Sequence, residues 1–181
     1  MKDRYLIFVL AFSLGLAGCA ALHPPSVTGD LPHFFKVNDT LYRGGQPTEQ
    51  GFRLLTKREI KTVVSFRRHD EGEPWERAVV ERLGMRWVNI PFHSATTPSD
   101  EQIQQFFDIV LDPANQPVFV HCYEGKNRTG MTVALYRMVH DGWPPEKALD
   151  EAHRLGLNRM HLPARRLILS FPNNQTTPKR P

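Results

Sequence analysis

The chain has 181 residues, 40% hydrophobic and 23% charged, which suits one soluble globular domain with additions at its ends. The formal net charge of +4 comes with no Lys/Arg-rich stripe, so it does not point to nucleic acid, although a local cationic site for an anionic substrate fits it. The 8 histidines form no H-x-x-x-H or H-E-x-x-H pattern and neither of the 2 cysteines has a C-x-x-C partner, so the residues call for no metal and no cofactor.

The N-terminus reads as an address. Lys2 and Arg4 precede an almost wholly apolar run from Tyr5 to Leu16, and Leu16-Ala17-Gly18-Cys19 follows. A charged start, a short apolar core and small residues at the end make an export signal. The run falls short of the ~20 residues that a bilayer-spanning helix needs. Its ending resembles the lipobox of bacterial lipoproteins. The resemblance implies cleavage after residue 18, lipid on Cys19 and tethering to a membrane of the cell envelope (outer membrane or periplasm in a Gram-negative cell), where several acyl chains hold a protein stably. Residues 19–32, with Pro24, Pro25, Ser26, Gly29 and Pro32, read as the lipidated Cys and a linker.

Further along, strands are expected over 40–43, 62–66, 86–90 and 118–121, the last lacking polar alternation as a buried central strand does. Helices are expected over 48–57, 74–83 and 99–111, with Thr48 and Ser99 as N-caps. Two more follow, over 129–141, stopped by Gly142 and Pro144, and over 145–155, stopped by Gly156; Arg165 and Arg166 fall on a last helix. The polar, Pro-rich stretch 172–181 reads as a disordered tail. The alternation predicts an α/β domain over 33–171, a mostly parallel four- to five-stranded sheet flanked by helices. Ligands of such sheets gather beyond the carboxyl ends of the strands, where His121-Cys122 falls.

The chemistry lies in His121-Cys122-Tyr123-Glu124-Gly125-Lys126-Asn127-Arg128-Thr129-Gly130. A Cys ends a buried strand, a Gly-containing loop follows, and a helix begins near Arg128. Successive N–H groups of such a loop, Tyr123 to Asn127, can form an anion nest. The helix N-terminus adds its positive end and Arg128 a planar two-pronged grip on phosphate oxygens. All three favour thiolate over thiol, so Cys122 is the candidate nucleophile. Thr129 can hydrogen-bond the sulfur and ease its departure, and His121 orders the loop.

This segment matches the H-C-x5-R-[S/T] signature of the cysteine-based protein tyrosine and dual-specificity phosphatases. Leu41-Tyr42-Arg43-Gly44-Gly45-Gln46-Pro47 and Lys61-Thr62-Val63-Val64-Ser65-Phe66-Arg67 resemble the first strands of exported bacterial members. The resemblance runs over residues 30–155. It implies the dual-specificity phosphatase fold and hydrolysis of phosphotyrosine, with phosphoserine and phosphothreonine as further substrates, through a cysteinyl-phosphate. Residues 112–117 and Gly125-Lys126 also resemble the plant and fungal branch that acts on inositol pyrophosphates, and a Lys at this loop position occurs in phosphoinositide phosphatases. The partner is therefore a phosphorylated protein or a small phosphorylated molecule. A catalytically weak phosphate-binding module is the rival from another class, and the Cys-x5-Arg-Thr spacing disfavours rhodanese-like sulfur transfer.

The family places its general acid, an Asp, on a loop before the Cys, and here Ser94 or Ala95 stands at that point. Asp100, in the same loop, is one replacement, with a helix-starting role as the alternative. His93 is another, with buttressing as the alternative. Glu124 is a third candidate. Arg43 and Arg67, at strand ends, either extend the anion site or serve in structural ion pairs; residues 68–71 read as a solvated turn; Lys126 is divided between charge recognition and solvent exposure.

Overall fold

A computed structural model describes residues 26–71 and 74–174. The signal segment, the expected lipid site at Cys19 and residues 175–181 lie outside them. In chain order the elements are β1 (Ser26–Thr28), β2 (Leu31–Lys36), β3 (Leu41–Gly44), α1 (Glu49–Thr56), β4 (Thr62–Ser65), α2 (Pro74–Arg82), β5 (Arg86–Asn89), α3 (Asp100–Val110), β6 (Val118–His121), α4 (Asn127–Val139), α5 (Pro145–Arg154) and α6 (Leu162–Asn174).

The sheet order is β1-β2-β3-β6-β4-β5. The strands β3, β6, β4 and β5 run parallel, and β1 and β2 join antiparallel at one edge. Alternation along the strands splits the core. Val63 and Phe119 face Phe52, Leu55, Val79 and Val80 of α1 and α2. Val64, Val118 and Val120 face the layer that includes Phe106, Met131, Leu135 and Ile168 of α3, α4 and α6. The expected α/β layering is therefore present.

Three expectations need correction. The sheet has six strands: Ser26–Thr28, from the stretch read as linker, and Leu31–Lys36, for which no strand was expected, both join it. Proline content suggested a loop there, yet Pro32 supplies its carbonyl to Gly45 N–H at 2.7 Å, and Asp30 takes bonds from the Thr48 N–H and hydroxyl. The helix expected from residue 129 begins at Asn127, which puts Arg128 in its first turn. The last helix runs to Asn174, beyond the boundary drawn at 171. The expected caps are as read: Thr48 Oγ1 accepts from Gly51 N–H, and Ser99 forms a full capping box with Gln102.

Candidate active site

The site grows from the middle of the sheet. Strand β6 lies between β3 and β4, all four of its residues buried, and its carboxyl end delivers Cys122 to the loop. The loop folds back over itself at Gly125, whose φ is +74°. A Cβ there would stand 2.4–2.5 Å from the backbone of Gly44 and Gly45, so only glycine fits both the turn and the close approach. In return the Gly125 N–H donates to Cys122 Sγ at 3.2 Å. The loop is held from the β3 side by Gln46 N–H on the Tyr123 carbonyl at 2.9 Å.

Helix α4 has no side-chain cap, so its first N–H groups remain for an anion. Arg128 Nη1 donates to the carbonyls of Phe66 at 3.0 Å and Phe92 at 3.3 Å, which fixes the guanidinium between β4 and the loop after β5. A cavity of about 450 Å³ opens over the sulfur. Loop residues Cys122, Tyr123, Glu124, Asn127 and Arg128 line it, joined by Arg67 and Ser94. Cys122 itself is 3% exposed, at the cavity floor.

Behind the loop, His121 is fully buried, with Nε2 2.9 Å from Glu76 Oε1 and Nδ1 3.2 Å from the Cys122 carbonyl. Glu76 also accepts from Trp87 Nε1 at 2.9 Å. Burial pushes the Glu76 carboxyl up, but the charge and hydrogen bond of His121, with Trp87, outweigh it and hold it at about 2. Arg43 is buried to the same degree and donates from Nη2 to the Gly125 carbonyl at 2.6 Å.

This geometry coincides with a match to the protein family described as "DSP-PTPase phosphatase fused to NAD+ Kinase", which spans residues 33–165. The chain belongs to that DSP-PTPase family. It is a phosphatase. It is 34% identical to the dual specificity protein phosphatase TpbA of Pseudomonas aeruginosa, over 82% of this chain and 67% of that one. The solved structure of a cysteine-to-serine variant of TpbA in complex with pTyr superposes with a TM-score of 0.65 at 25% identity, over 87% of this chain and all of that one. Inositol diphosphatase DSP2 of Oryza sativa is 30% identical over 66% of this chain and 59% of that one.

Within this DSP-PTPase frame most of the expected site residues assemble. Cys122, Tyr123, Glu124, Asn127 and Arg128 share the cavity, and His121 orders the loop from behind. Asn127 Oδ1 accepts the Asn158 N–H at 3.0 Å. Thr129 departs from expectation: among the described residues its buried hydroxyl has no hydrogen-bond partner, so the bond to the sulfur is not formed. Lys126 does not line the cavity; its Nζ lies 3.5 Å from Glu124 Oε1 and its stem packs on Gly156.

Of the loop expected to carry the acid, Ser94 is the residue that lines the cavity; Asp100 and His93 do not. His93 is exposed and its Nδ1 accepts the Ala95 N–H at 3.1 Å. Asp100 is the first residue of α3, directly after its cap. Glu76 went unread in the sequence, whereas Arg43 and Arg67 were divided between the anion site and structural ion pairs. Arg67 bonds to Gln46 Oε1 and its guanidinium lies 5.4 Å from the Tyr123 ring, so it forms a wall of the cavity. Its place at the end of β4 was the available signal. Among the described residues no three His, Cys, Asp or Glu side chains gather as a metal site.

Proposed function

We propose that this phosphatase hydrolyses phosphate monoesters of proteins, phosphotyrosine first and phosphoserine or phosphothreonine after it, through a cysteinyl-phosphate on Cys122. The observation that carries the reading is the Gly125 N–H on Cys122 Sγ in the cavity that Arg128 also lines, at the uncapped N-terminus of α4. Sulfur attacks phosphorus while the loop N–H groups and Arg128 take up the charge of the equatorial oxygens. The leaving oxygen needs a proton as the P–O bond breaks. We assign that proton to Asp100, which stands outside the cavity at the start of α3, just after the loop whose Ser94 lines it; His93 also stands outside and has one ring nitrogen engaged as an acceptor. Water then attacks phosphorus and gives its proton to Asp100, which releases inorganic phosphate and the free sulfur. Tyr123, 64% exposed at the mouth, offers an aromatic wall to an aryl ester.

Cys122→Ser tests the scheme: phosphate or vanadate binding is retained and turnover of para-nitrophenyl phosphate is lost. Turnover that survives the substitution overturns it. Binding without turnover in the unsubstituted protein would make this a phosphate-binding module instead. The 30% identity to an inositol diphosphatase supports inositol phosphates as a second substrate class, and a panel of phosphopeptides against inositol phosphates separates the two. The lipobox-like Leu16-Ala17-Gly18-Cys19 supports action at the envelope from a lipid anchor; metabolic labelling with a fatty acid that is lost in Cys19→Ala tests it.

A further inference from the structure

We propose that Arg43 is a positioning residue for the nucleophile. It holds the Gly125 carbonyl so that the N–H of the same residue meets the sulfur, and it sets a fixed positive charge beneath Cys122. The proposal rests on the phosphatase reading above.

The parallel register places Arg43 beside Val120 and Gly44 beside His121, one strand over from the nucleophile. The guanidinium is 1% exposed and donates to the Gly125 carbonyl at 2.6 Å, while Gly125 N–H lies 3.2 Å from Sγ. One glycine thus carries the pull of Arg43 on its oxygen to the sulfur on its nitrogen. Among the described residues the buried Nη1 of Arg43 has no hydrogen-bond partner and no carboxylate forms an ion pair with it. A buried guanidinium without an ion pair is a poor way to fill a core, where an apolar side chain of similar volume serves stability at least as well. Such a residue fits a role in the site rather than in packing.

The electrostatics agree. Burial lowers the Arg43 guanidinium to about 10, and the charge on Cys122 is the largest influence working against that fall. The other charged groups near Arg43 are Glu151 on α5, Arg137 on α4 and His33 on β2. Glu151 is committed to Arg137 by bonds of 2.9 and 2.8 Å, so it does not neutralise Arg43. Around the sulfur stand Arg128, Arg67 and Glu124 in the cavity and the His121–Glu76 pair behind it. Lys126 is held toward Glu124.

The test is the rate of Cys122 alkylation by iodoacetamide as a function of pH, read by mass spectrometry on the Cys122 peptide of the full chain, beside kcat/KM for para-nitrophenyl phosphate. Arg43→Met is expected to raise the midpoint of the alkylation profile by about one pH unit, which is about a tenfold loss of reactive sulfur below it. Arg43→Gln, which can keep the bond to Gly125 without the charge, is expected to raise the midpoint by less, and it decides the matter if the methionine variant does not fold. Arg43→Lys is expected to return the midpoint at least halfway. A folded neutral variant with the wild-type profile, or a lysine variant no better than methionine, overturns the proposal. If the profile shifts as stated while the wild-type protein turns over no phosphate ester, the positioning role stands and the phosphatase mechanism falls.

Discussion

His161 Nε2 donates to the Ser94 carbonyl at 2.6 Å. The same ring accepts the Ala164 N–H on Nδ1 at 3.1 Å, so one histidine starts α6 and tethers the cavity-lining loop. His161→Ala removes both. It should cost about 1 kcal/mol of stability, as loss of a helix cap does, visible as a lower urea midpoint. If the tether positions the acid, kcat should fall more for phenyl phosphate than for para-nitrophenyl phosphate; a loss equal for both would confine His161 to the cap.

Asp100→Asn separates the candidates for the proton donor. A positioned acid contributes about 10²-fold or more, and it contributes most where the leaving oxygen is basic. The substitution should therefore cut phenyl phosphate turnover about a hundredfold and para-nitrophenyl phosphate turnover far less. Equal, small losses would remove Asp100 from the mechanism, and His93→Gln would be measured next in the same way.

Gly125→Ala addresses the loop. The added methyl would stand 2.4–2.5 Å from the Gly44 and Gly45 backbone at a φ of +74°, and no side chain can move to make room. A penalty on the order of 1–3 kcal/mol is expected from the strained backbone, with loss of kcat as the N–H leaves the sulfur. Normal thermal stability and normal turnover together would show that the loop is not built as described.

Glu76 sets a pH dependence of stability. Its carboxyl lies at about 2 in the folded protein, below the ordinary 4.5, so the folded state binds fewer protons than the unfolded chain between those values. Stability from this group is therefore complete above about pH 5 and lost progressively as pH falls toward 2, by on the order of 3 kcal/mol in all. Glu76→Gln should flatten that limb of the urea-midpoint profile while lowering stability at neutral pH, since it leaves His121 with an uncharged partner. An unchanged acid limb would mean the His121–Glu76 contact is not what holds the carboxyl down.

Cys122 and Arg128 were legible because their spacing, the preceding apolar strand and the following helix all lie within one short stretch. The sheet followed for a similar reason: continuous apolar runs such as Val118-Phe119-Val120 carry their own signal of burial. Glu76 was not legible, and Arg43 only as one of two possible roles. Their partners lie 45 and 82 residues away, and a Glu in the first turn of a helix or an Arg at a strand end has the same local pattern whether solvated or buried. Lys126 shows the converse. Its place inside the loop suggested a ligand contact, yet Glu124 and the open face of Gly156 hold the side chain away from the cavity. Ser26–Thr28 was missed because proline and glycine punctuation outweighed a strand of three residues.

The parallel pairing of β6 with both β3 and β4 means that the loop carrying Cys122 has no local template. Residues 41–44 and 118–121 must meet across most of the domain before Gly125 can lodge against Gly44 and Gly45, and such distant contacts form late and slowly. Chains truncated before β3 should thus be inert even with the whole of residues 118–130 present. Catalytic turnover then serves as a readout of completed folding.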